Sequence, residues 1–329
     1  MKNSDTVLVI GSNSFAANSL ISYLLKKEIK TIGISRPRIL EKRFNSIMDY
    51  KNYKNFKLDI NKNINSIFDL ILKYKPSYII DFAAQGMVAQ SWDKPHYWFQ
   101  TNTLSKIKLH KFLINKKFLK KFINISTPEV YGSSNKKLLT NSPYNPSTPY
   151  AVSKASIDMS LNTFVNQFNF PNLTARFANF YGPYQTLYRI IPLTIHRAAS
   201  KRKIDLHGGG LSKRFFIYSD DFSEAIYKLM TRGSIGKVYH FSGDKMITIK
   251  DLVKKIYDKF NLDYENFINI TNDRPGKDFI YDMDDTISRQ ELKWKNKFSL
   301  DKGIDLTIDW YMQNISMFSR SDERFKLKK

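Results

Sequence analysis

Short apolar runs alternate with longer amphipathic stretches through the first half of the chain. The runs are typical of buried strands, whereas the longer stretches carry apolar residues at helical spacing. Strands are predicted at residues 6–10, 31–34, 55–58, 77–83, 121–125 and 173–177, and helices at 15–27, 65–74, 96–115 and 150–168. Strands separated by helices of this length indicate βαβ units, so we expect an α/β fold built on a doubly wound parallel sheet.

The second half of the chain has a less regular pattern. It predicts helices at residues 190–201, 219–231, 249–260 and 300–311, and one strand at 237–241. We therefore expect a smaller, mostly C-terminal α/β unit beside the sheet. The C-terminal stretch MFSRSDERFKLKK is polar and basic, and we expect a mobile tail there.

In parallel sheets of this kind, ligands bind at the carboxyl ends of the strands. Gly11 directly follows the first predicted strand, and Ser14 and Ala17 follow it at the spacing of a dinucleotide-binding loop. Such a loop uses glycines for a tight turn and for close approach of the backbone to a pyrophosphate. Here the first glycine is present and the other two positions carry small residues. The pattern predicts a dinucleotide site, and a plain strand–turn–helix is the alternative for this motif taken alone.

The residues after the second strand bear on which dinucleotide binds. An NAD site usually has Asp or Glu there for the ribose hydroxyls, whereas this chain has Ser35 and Arg36. A guanidinium can hold a 2′-phosphate through two hydrogen bonds. Arg36 therefore favours NADP without excluding NAD, and a solvated basic loop is the alternative. Asp59, after the third strand, lies where an adenine amino group could be met.

Tyr150 and Lys154 are four residues apart on a predicted helix and share one face. An ammonium beside a phenol favours the phenolate, so we expect Lys154 to lower the pKa of Tyr150. Tyr150 would then be a base that can take a hydroxyl proton. Upstream, the strand end STPEVYG carries Thr127 and Glu129, with Pro128 between them. This combination indicates oxidation of an alcohol.

Composition narrows the range of functions. The 329 residues carry a formal net charge of +23, but the lysines are scattered along the chain, so we expect an anionic small substrate and no nucleic-acid partner. The chain has no cysteine, which excludes disulfides and thiolate chemistry, and its five histidines show no spacing typical of a metal site. No apolar run is long enough for a membrane span or a signal peptide, so we expect a cytoplasmic protein with no membrane partner.

The chain resembles the extended short-chain dehydrogenase/reductases, in particular the nucleotide-sugar 4,6-dehydratases and epimerases. The matching stretches are STPEVYG, YAVSKAS, RFANFYGPYQ, RFFIYSDDFSEAI and NDRPGKDFIYDMD. The last three are most similar to dTDP-glucose 4,6-dehydratases, whereas DFAAQ and the arginine after the second strand are more like GDP-mannose 4,6-dehydratases. The resemblance runs from residue 7 to about residue 311, nearly the whole chain.

The resemblance implies a domain organisation and an activity. Residues 1–180 would form an NAD(P)-binding domain of Rossmann type, to which 215–245 returns, followed by a substrate-binding domain at 181–316 and a basic tail at 317–329. The enzyme would be a homodimer that acts on a nucleotide-diphosphate sugar. It would oxidise carbon 4, eliminate water across carbons 5 and 6, and return the hydride from a retained NAD(P)+.

The resemblance also implies roles for individual residues. Thr127, Tyr150 and Lys154 would form the oxidation triad, and Glu129 would remove the proton from sugar carbon 5. The implied cofactor contacts are Gly11, Ser14, Phe15, Ala17, Ser35, Arg36, Asp59, Ile60, Ala83, Ala84, Tyr150 and Lys154. The implied substrate contacts are Gln85, Asn102, Asn179, Arg214 and Arg274.

Pro128 is the departure from the pattern of this family. In dTDP-glucose dehydratases an aspartate between the threonine and the glutamate acts as acid on the carbon-6 hydroxyl, and GDP-mannose dehydratases have serine there. Proline can neither give nor accept that proton, so Glu129 or a water molecule would have to shuttle it. A nucleotide-sugar 4-epimerase, a uronic-acid decarboxylase of the same family and a non-catalytic nucleotide-sensing protein are the alternatives.

Overall fold

A sheet of seven parallel strands forms the centre of the protein. The structure is a computed structural model and describes residues 5–37, 47–273 and 278–325. In space the strands lie in the order β10-β6-β5-β4-β1-β2-β3. The chain reverses direction across the sheet between β1 and β4, which opens a crevice at their carboxyl ends. The strands are β1 (Thr6–Ile10), β2 (Lys30–Ser35), β3 (Tyr53–Lys57), β4 (Tyr78–Asp81), β5 (Lys121–Ile125), β6 (Asn172–Phe177) and β10 (Val238–Phe241).

Helices cover both faces of this sheet. On one face lie α1 (Phe15–Lys26) and α7 (Ser219–Arg232), and on the other lie α2 (Ile64–Tyr74), α4 (Ser105–Leu113) and α5 (Pro149–Phe168). Because both faces are buried, the central strands are apolar on both sides, which explains their continuous apolar runs. The predicted fold class is confirmed, and each strand and helix predicted in the first half has a counterpart within a few residues.

The helix predicted at 96–115 has an irregular centre. It consists of α3 (Pro95–Phe99), a π-helical turn at Gln100–Leu104, and α4. A π turn inserts an extra residue into the helix and is often found at functional sites. Here it carries Asn102, whose side chain is fully buried towards the sheet.

Among the described residues, five further strands and four further α-helices complete the fold. Strands β7 (Asn179–Tyr181), β9 (Lys213–Tyr218) and β11 (Met246–Thr248) form one sheet, and β8 (Ile204–His207) pairs with β12 (Ile268–Thr271). The helices are α6 (Ile190–Ala199), α8 (Ile249–Asp258), α9 (Thr286–Leu292) and α10 (Leu300–Gln313). The sequence pattern does not predict these strands or α9, because apolar runs and amphipathic stretches do not alternate regularly in this half of the chain.

The C-terminal tail is anchored as far as the structure describes it, contrary to the expectation of a mobile segment. The Glu323 carboxylate is buried and lies 2.7 Å from Nδ1 of His196 and 2.6 Å from Nη2 of Arg197, and it also pairs with Arg202. Phe325 packs on the ring of Tyr188. One buried carboxylate with several cationic partners holds the segment despite its polar composition.

No helix within the described ranges is both long and apolar enough to cross a bilayer.

Candidate active site

The stretch STPEVYG lies at the carboxyl end of β5, next to the crevice. Thr127 is extended, and Pro128 begins a 3₁₀ turn that runs to Tyr131. Proline suits the first position of such a turn, because its fixed φ matches and the missing N–H would have no partner there. Gly132 closes the turn at a φ of 68°, where a Cβ would lie 2.3 Å from the carbonyl oxygen of Asn145. Pro128 therefore shapes the loop that presents Glu129.

A buried polar network fixes the base of this loop. The Asp158 carboxylate on α5 accepts hydrogen bonds from Ser126 Oγ at 2.5 Å and from Asn124 Nδ2 at 2.7 Å. It also pairs with Arg176 on β6 at 2.9 Å, and both side chains are almost completely buried. Arg176 in turn donates to the hydroxyl of Tyr131. The network joins the loop to the helix that carries Tyr150 and Lys154.

The start of α5 brings the predicted triad together. Thr148 caps the helix by accepting from the backbone N–H of Ala151 at 3.2 Å. Tyr150, in the first turn, lies beside Thr127, whose side chain acts to lower the pKa of the phenol. One turn later, Lys154 donates from Nζ to the carbonyl oxygen of Ile125 at 2.6 Å. The three residues predicted for oxidation thus surround the carboxyl end of β5.

The protonation of Tyr150 differs from the expectation. We predicted that Lys154 would lower the pKa of Tyr150, but the Lys154 ammonium is directed at the Ile125 carbonyl. Burial and the Glu129 carboxylate raise the pKa of Tyr150, although the side chain of Thr127 and the charge of Arg189 act in the opposite direction. Burial is the main effect because it disfavours the phenolate.

Lys154 is itself easier to deprotonate than a surface lysine. Burial, followed by the positive charge of Lys106, lowers its pKa to about 7, while Asp158, Asp81 and Glu129 act against that change. A lysine in this range can exchange its proton near neutral pH.

The Glu129 carboxyl is buried, which favours its protonated form. Burial raises the pKa of this carboxyl, and the charge of Asp278 adds to the effect, whereas its own backbone N–H and the charges of Arg214 and Arg189 oppose it. Its Oε2 atom has no hydrogen-bond partner among the described residues. A buried carboxyl with a raised pKa is suited to hold and return a proton.

Arg214 faces this carboxyl from the start of β9, but most of its donors are engaged. Its guanidinium donates to the carbonyl oxygens of Lys213 at 2.7 Å, Phe279 at 2.9 Å and Asp278 at 2.6 Å. It also lies over the ring of Tyr281, 4.8 Å from the centroid. The predicted contact of Arg214 with a diphosphate stays a prediction, and Arg274 lies outside the described residues.

A groove runs along the carboxyl ends of β1 to β4. Its lining includes nine of the residues predicted for cofactor or substrate: Gly11, Ser14, Ser35, Arg36, Asp59, Ile60, Ala83, Ala84 and Gln85. Phe15 and Ala17 do not line it, because Phe15 stacks on Phe180 and Ala17 is buried beneath the loop.

The groove fits a dinucleotide. Gly11 has a φ of 83°, and a Cβ there would lie 2.7 Å from the backbone nitrogen of Ala83, so only glycine leaves the crevice open. The amino end of α1 points its free N–H groups at this place, and Ser14 caps it by accepting from Ala17 at 3.2 Å. These residues would hold the pyrophosphate, with Asp59 and Arg36 at the nucleoside end.

Asn102 was predicted near the sugar, and Asn179 near the nucleotide diphosphate. Asn102 accepts from the backbone N–H of Gln85 at 2.8 Å and donates to the Gln85 carbonyl at 3.1 Å and to Ser153 Oγ at 2.9 Å. Both of its N–H donors are thus used, and its role is to position the loop and α5. Asn179 is exposed on β7.

Sequence reasoning missed three residues that surround Glu129. Arg189 is an isolated cation before α6, in a segment without any periodic pattern. Asp278 and Tyr281 lie in the stretch NDRPGKDFIYDMD, of which only Arg274 was singled out. Asp278 accepts from Ser147 Oγ at 3.2 Å and from the Tyr281 hydroxyl, and burial and the charge of Glu129 raise the pKa of Tyr281.

Comparison with known proteins agrees with this geometry. The model of the GDP-mannose 4,6-dehydratase family matches residues 8–307 of the chain. Human dTDP-D-glucose 4,6-dehydratase is 30% identical over 320 residues, which cover 94% of this chain and 90% of the human protein. A probable dTDP-glucose 4,6-dehydratase of Sinorhizobium fredii is 28% identical over 326 residues, which cover 94% of this chain and 93% of that protein.

The same similarity extends to a solved structure. The dTDP-glucose 4,6-dehydratase of Bacillus anthracis, solved in complex with NAD, superimposes on this chain with a TM-score of 0.87 at 26% identity. The alignment covers 95% of this chain and 98% of that one.

Proposed function

The chain belongs to the GDP-mannose 4,6-dehydratase family, and on that premise we propose that it is a nucleotide-sugar 4,6-dehydratase. Its substrate is a nucleoside diphosphate sugar with free hydroxyls at carbons 4 and 6. The observation that supports this most is the meeting of Thr127 and Tyr150 with the buried carboxyl of Glu129 at one strand end.

Gly11, Ser14 and the other groove residues would hold a nicotinamide dinucleotide, which would supply the hydride chemistry at carbons 4 and 6. In its phenolate form, which burial makes the minor one, Tyr150 accepts the proton of the carbon-4 hydroxyl. The resulting carbonyl makes the carbon-5 hydrogen acidic, and Glu129 removes it. The sugar thus gives up two protons, one from the carbon-4 hydroxyl and one from carbon 5. The step is balanced because one proton leaves with the water and one returns to carbon 5.

Glu129 performs the work that an acid at position 128 would share. Pro128 has no group that can protonate the carbon-6 oxygen, so Glu129 delivers the carbon-5 proton to it as water leaves. The raised pKa of Glu129 suits this, because the protonated carboxyl is the form that must persist between the two steps. Arg189 and Arg214 supply positive charge while the carboxylate exists.

The test is to incubate the purified protein with dTDP-glucose, GDP-mannose, UDP-glucose and a nucleotide-sugar uronic acid. We expect one of the first three to lose the mass of one water and to form a 4-keto product. A new stereoisomer of unchanged mass would instead support a 4-epimerase, which the lack of an acid at Pro128 favours as the second candidate. Loss of carbon dioxide would mark a decarboxylase, and no change in any substrate would contradict the proposal.

We also propose that the cofactor is retained NAD(P)+ and that Arg36 shifts the preference towards NADP. Arg36 lines the groove at the end of β2, where no carboxylate follows the strand. The Bacillus anthracis relative holds NAD, so the choice needs a direct measurement. We expect Arg36→Asp to weaken NADP binding by at least tenfold and to leave NAD unchanged or tighter, because a 2′-phosphate loses its cation.

Lys30→Asp is the matched control, since Lys30 is an exposed cation at the opposite end of the same strand. Release of NAD alone from the denatured protein, together with equal affinities in Arg36→Asp and wild type, would refute the preference. The homodimeric state and the cytoplasmic location both stay predictions.

A further inference from the structure

A completely buried ion pair lies beside the proposed active site and has no part in the steps above. The Lys106 Nζ atom is 2.8 Å from Oδ2 of Asp81, and both side chains have an exposure of 0%. Asp81 is the last residue of β4, and Lys106 lies in the first turn of α4, directly after the π turn. Burying two charges costs more than burying an apolar pair of the same size, so the pair is not explained by stability.

On one side, the pair supports the loop that lines the cofactor groove. The other carboxylate oxygen of Asp81 accepts from the backbone N–H of Ala83 at 2.9 Å. Asn102, one helical turn before Lys106, holds both the N–H and the carbonyl of Gln85. The loop from Asp81 to Gln85 is therefore held at both ends. Lys106 pairs with Asp81 at its start, and Asn102 binds the backbone of Gln85 at its end.

On the other side, the same helix packs on α5 around Lys154. Asn102 and Thr103 both bond Ser153, the residue before Lys154, and Thr103 also bonds Ser156 at 2.8 Å. Charged groups face Lys154 from each element around it: Lys106 from α4, Asp81 from β4, Glu129 from the loop, and Asp158 from its own helix. Asp158 is paired with Arg176 on β6. Of these four groups, Lys106 is positively charged and the other three are carboxylic acids.

We propose that the Asp81–Lys106 pair is a positioning element of the catalytic site, in which Asp81 holds the cofactor-side loop and Lys106 places a fixed positive charge behind Lys154. The pair thereby sets the pH range in which Lys154 carries its proton. This matters for catalysis only if the proposed function is right, because Lys154 then lies beside the groups that exchange protons with the sugar. The effect of the Asp81–Lys106 pair on the pKa of Lys154 does not depend on a bound substrate.

The inference makes opposite predictions for the two partners. Lys106→Met leaves Asp81 uncompensated, which should raise the pKa of Lys154, whereas Asp81→Asn leaves Lys106 uncompensated, which should lower it. Each shift should be on the order of one pH unit, the usual size of the effect of one nearby unit charge with an effective dielectric constant of about 20. A role in folding alone would move neither titration.

The measurement is an NMR titration of the cofactor-free protein labelled with ¹³C at lysine Cε. Lys154 should titrate near its lowered pKa of about 7, well separated from surface lysines at about 10.4, and Lys154→Arg identifies its resonance by removing it. The readout needs neither cofactor nor substrate. Failure of the proposed function would appear separately, as no turnover of any nucleotide sugar.

Two further variants keep the test decisive if a single substitution prevents folding. Asp81→Asn combined with Lys106→Met removes both charges, and Asp81→Lys combined with Lys106→Asp exchanges them. Lys106 acts on Lys154 more strongly than Asp81 does, so the pKa of Lys154 should rise in the first double variant and rise further in the second. An unchanged Lys154 titration in both, or shifts of the same sign in the two single variants, would overturn the inference.

Discussion

Replacing Glu129 by glutamine should separate oxidation from elimination. Glutamine keeps the shape of the side chain but cannot take the carbon-5 proton. The triad of Thr127, Tyr150 and Lys154 is untouched by the change, so carbon 4 should still be oxidised. Reduced nicotinamide should therefore accumulate on the enzyme, while release of water stops.

The expected loss follows from the surroundings of Glu129. A positioned base contributes about 10²–10⁴-fold to the rate, or about 3–5 kcal/mol of activation free energy. The nearby Asp278 accepts a hydrogen bond from Tyr281, and Pro128 has no side-chain group that can accept a proton, so we expect neither neighbour to replace the lost base. We therefore expect a loss of turnover in the upper part of that range.

The same substitution should increase stability above acidic pH. Burial raises the pKa of Glu129 in the folded state, so the folded protein binds this proton more tightly than the unfolded chain does. The stabilisation from that proton is complete below the unfolded pKa of about 4.3 and is lost as the pH rises through the folded pKa. E129Q carries no such charge, so its free energy of unfolding should exceed that of wild type at neutral pH and match it at low pH.

The assay is stopped-flow absorbance of reduced nicotinamide together with mass spectrometry of the sugar. Tyr150→Phe is the matched control, because it removes the oxidation base and should give neither reduced cofactor nor product. Solvent deuterium should enter carbon 5 in the wild type and not in E129Q. Normal dehydration by E129Q would refute the reasoning and make Glu129 structural. If the wild type also showed no exchange at carbon 5, the epimerase would become the leading function.

Two further predictions concern the loop and its support. Pro128→Asp should be tolerated and should raise the rate of elimination, since it adds an acid beside the carbon-6 oxygen; a loss of elimination in a folded variant, seen as unchanged substrate mass, would count against that role. Arg176→Met should lower the free energy of unfolding in urea by about 3–5 kcal/mol, because it leaves the buried Asp158 unpaired. Lys255→Met, which breaks the exposed pair with Asp301, should change it by less than about 1 kcal/mol, and equal effects of the two variants would contradict the argument.

Much of the proposed site could be predicted from short motifs. Thr127, Tyr150 and Lys154 are recognisable because a strand end and a helix with four-residue spacing are both local features. Nine predicted residues line the groove for the same reason, since the carboxyl ends of parallel strands must meet at one edge of the sheet. Arg189 and Asp278 were missed, because they act on Glu129 from segments distant in sequence and without periodic pattern.

The layout of the first half follows from the local sequence pattern: alternating strands and helices, a parallel sheet, and a tight turn at Gly11 after the first strand. These elements are encoded by periodicity, helix caps and turn residues. Each of these signals spans only a few neighbouring positions, so the local sequence suffices to predict the elements. Local pattern also placed Pro128 at a strand end, although the turn that it begins became visible only in three dimensions.

The electrostatics of the site depend on contacts between segments that are distant in sequence, and these contacts are visible only in three dimensions. Lys154 bonds the carbonyl of Ile125, 29 positions away, instead of acting mainly on Tyr150 on its own helix. The ion pair of Asp81 with Lys106 and the buried carboxylate of Glu323 likewise join distant segments. A pKa depends on burial and on the distances between charges in space, and neither quantity can be read from the spacing of residues along the chain.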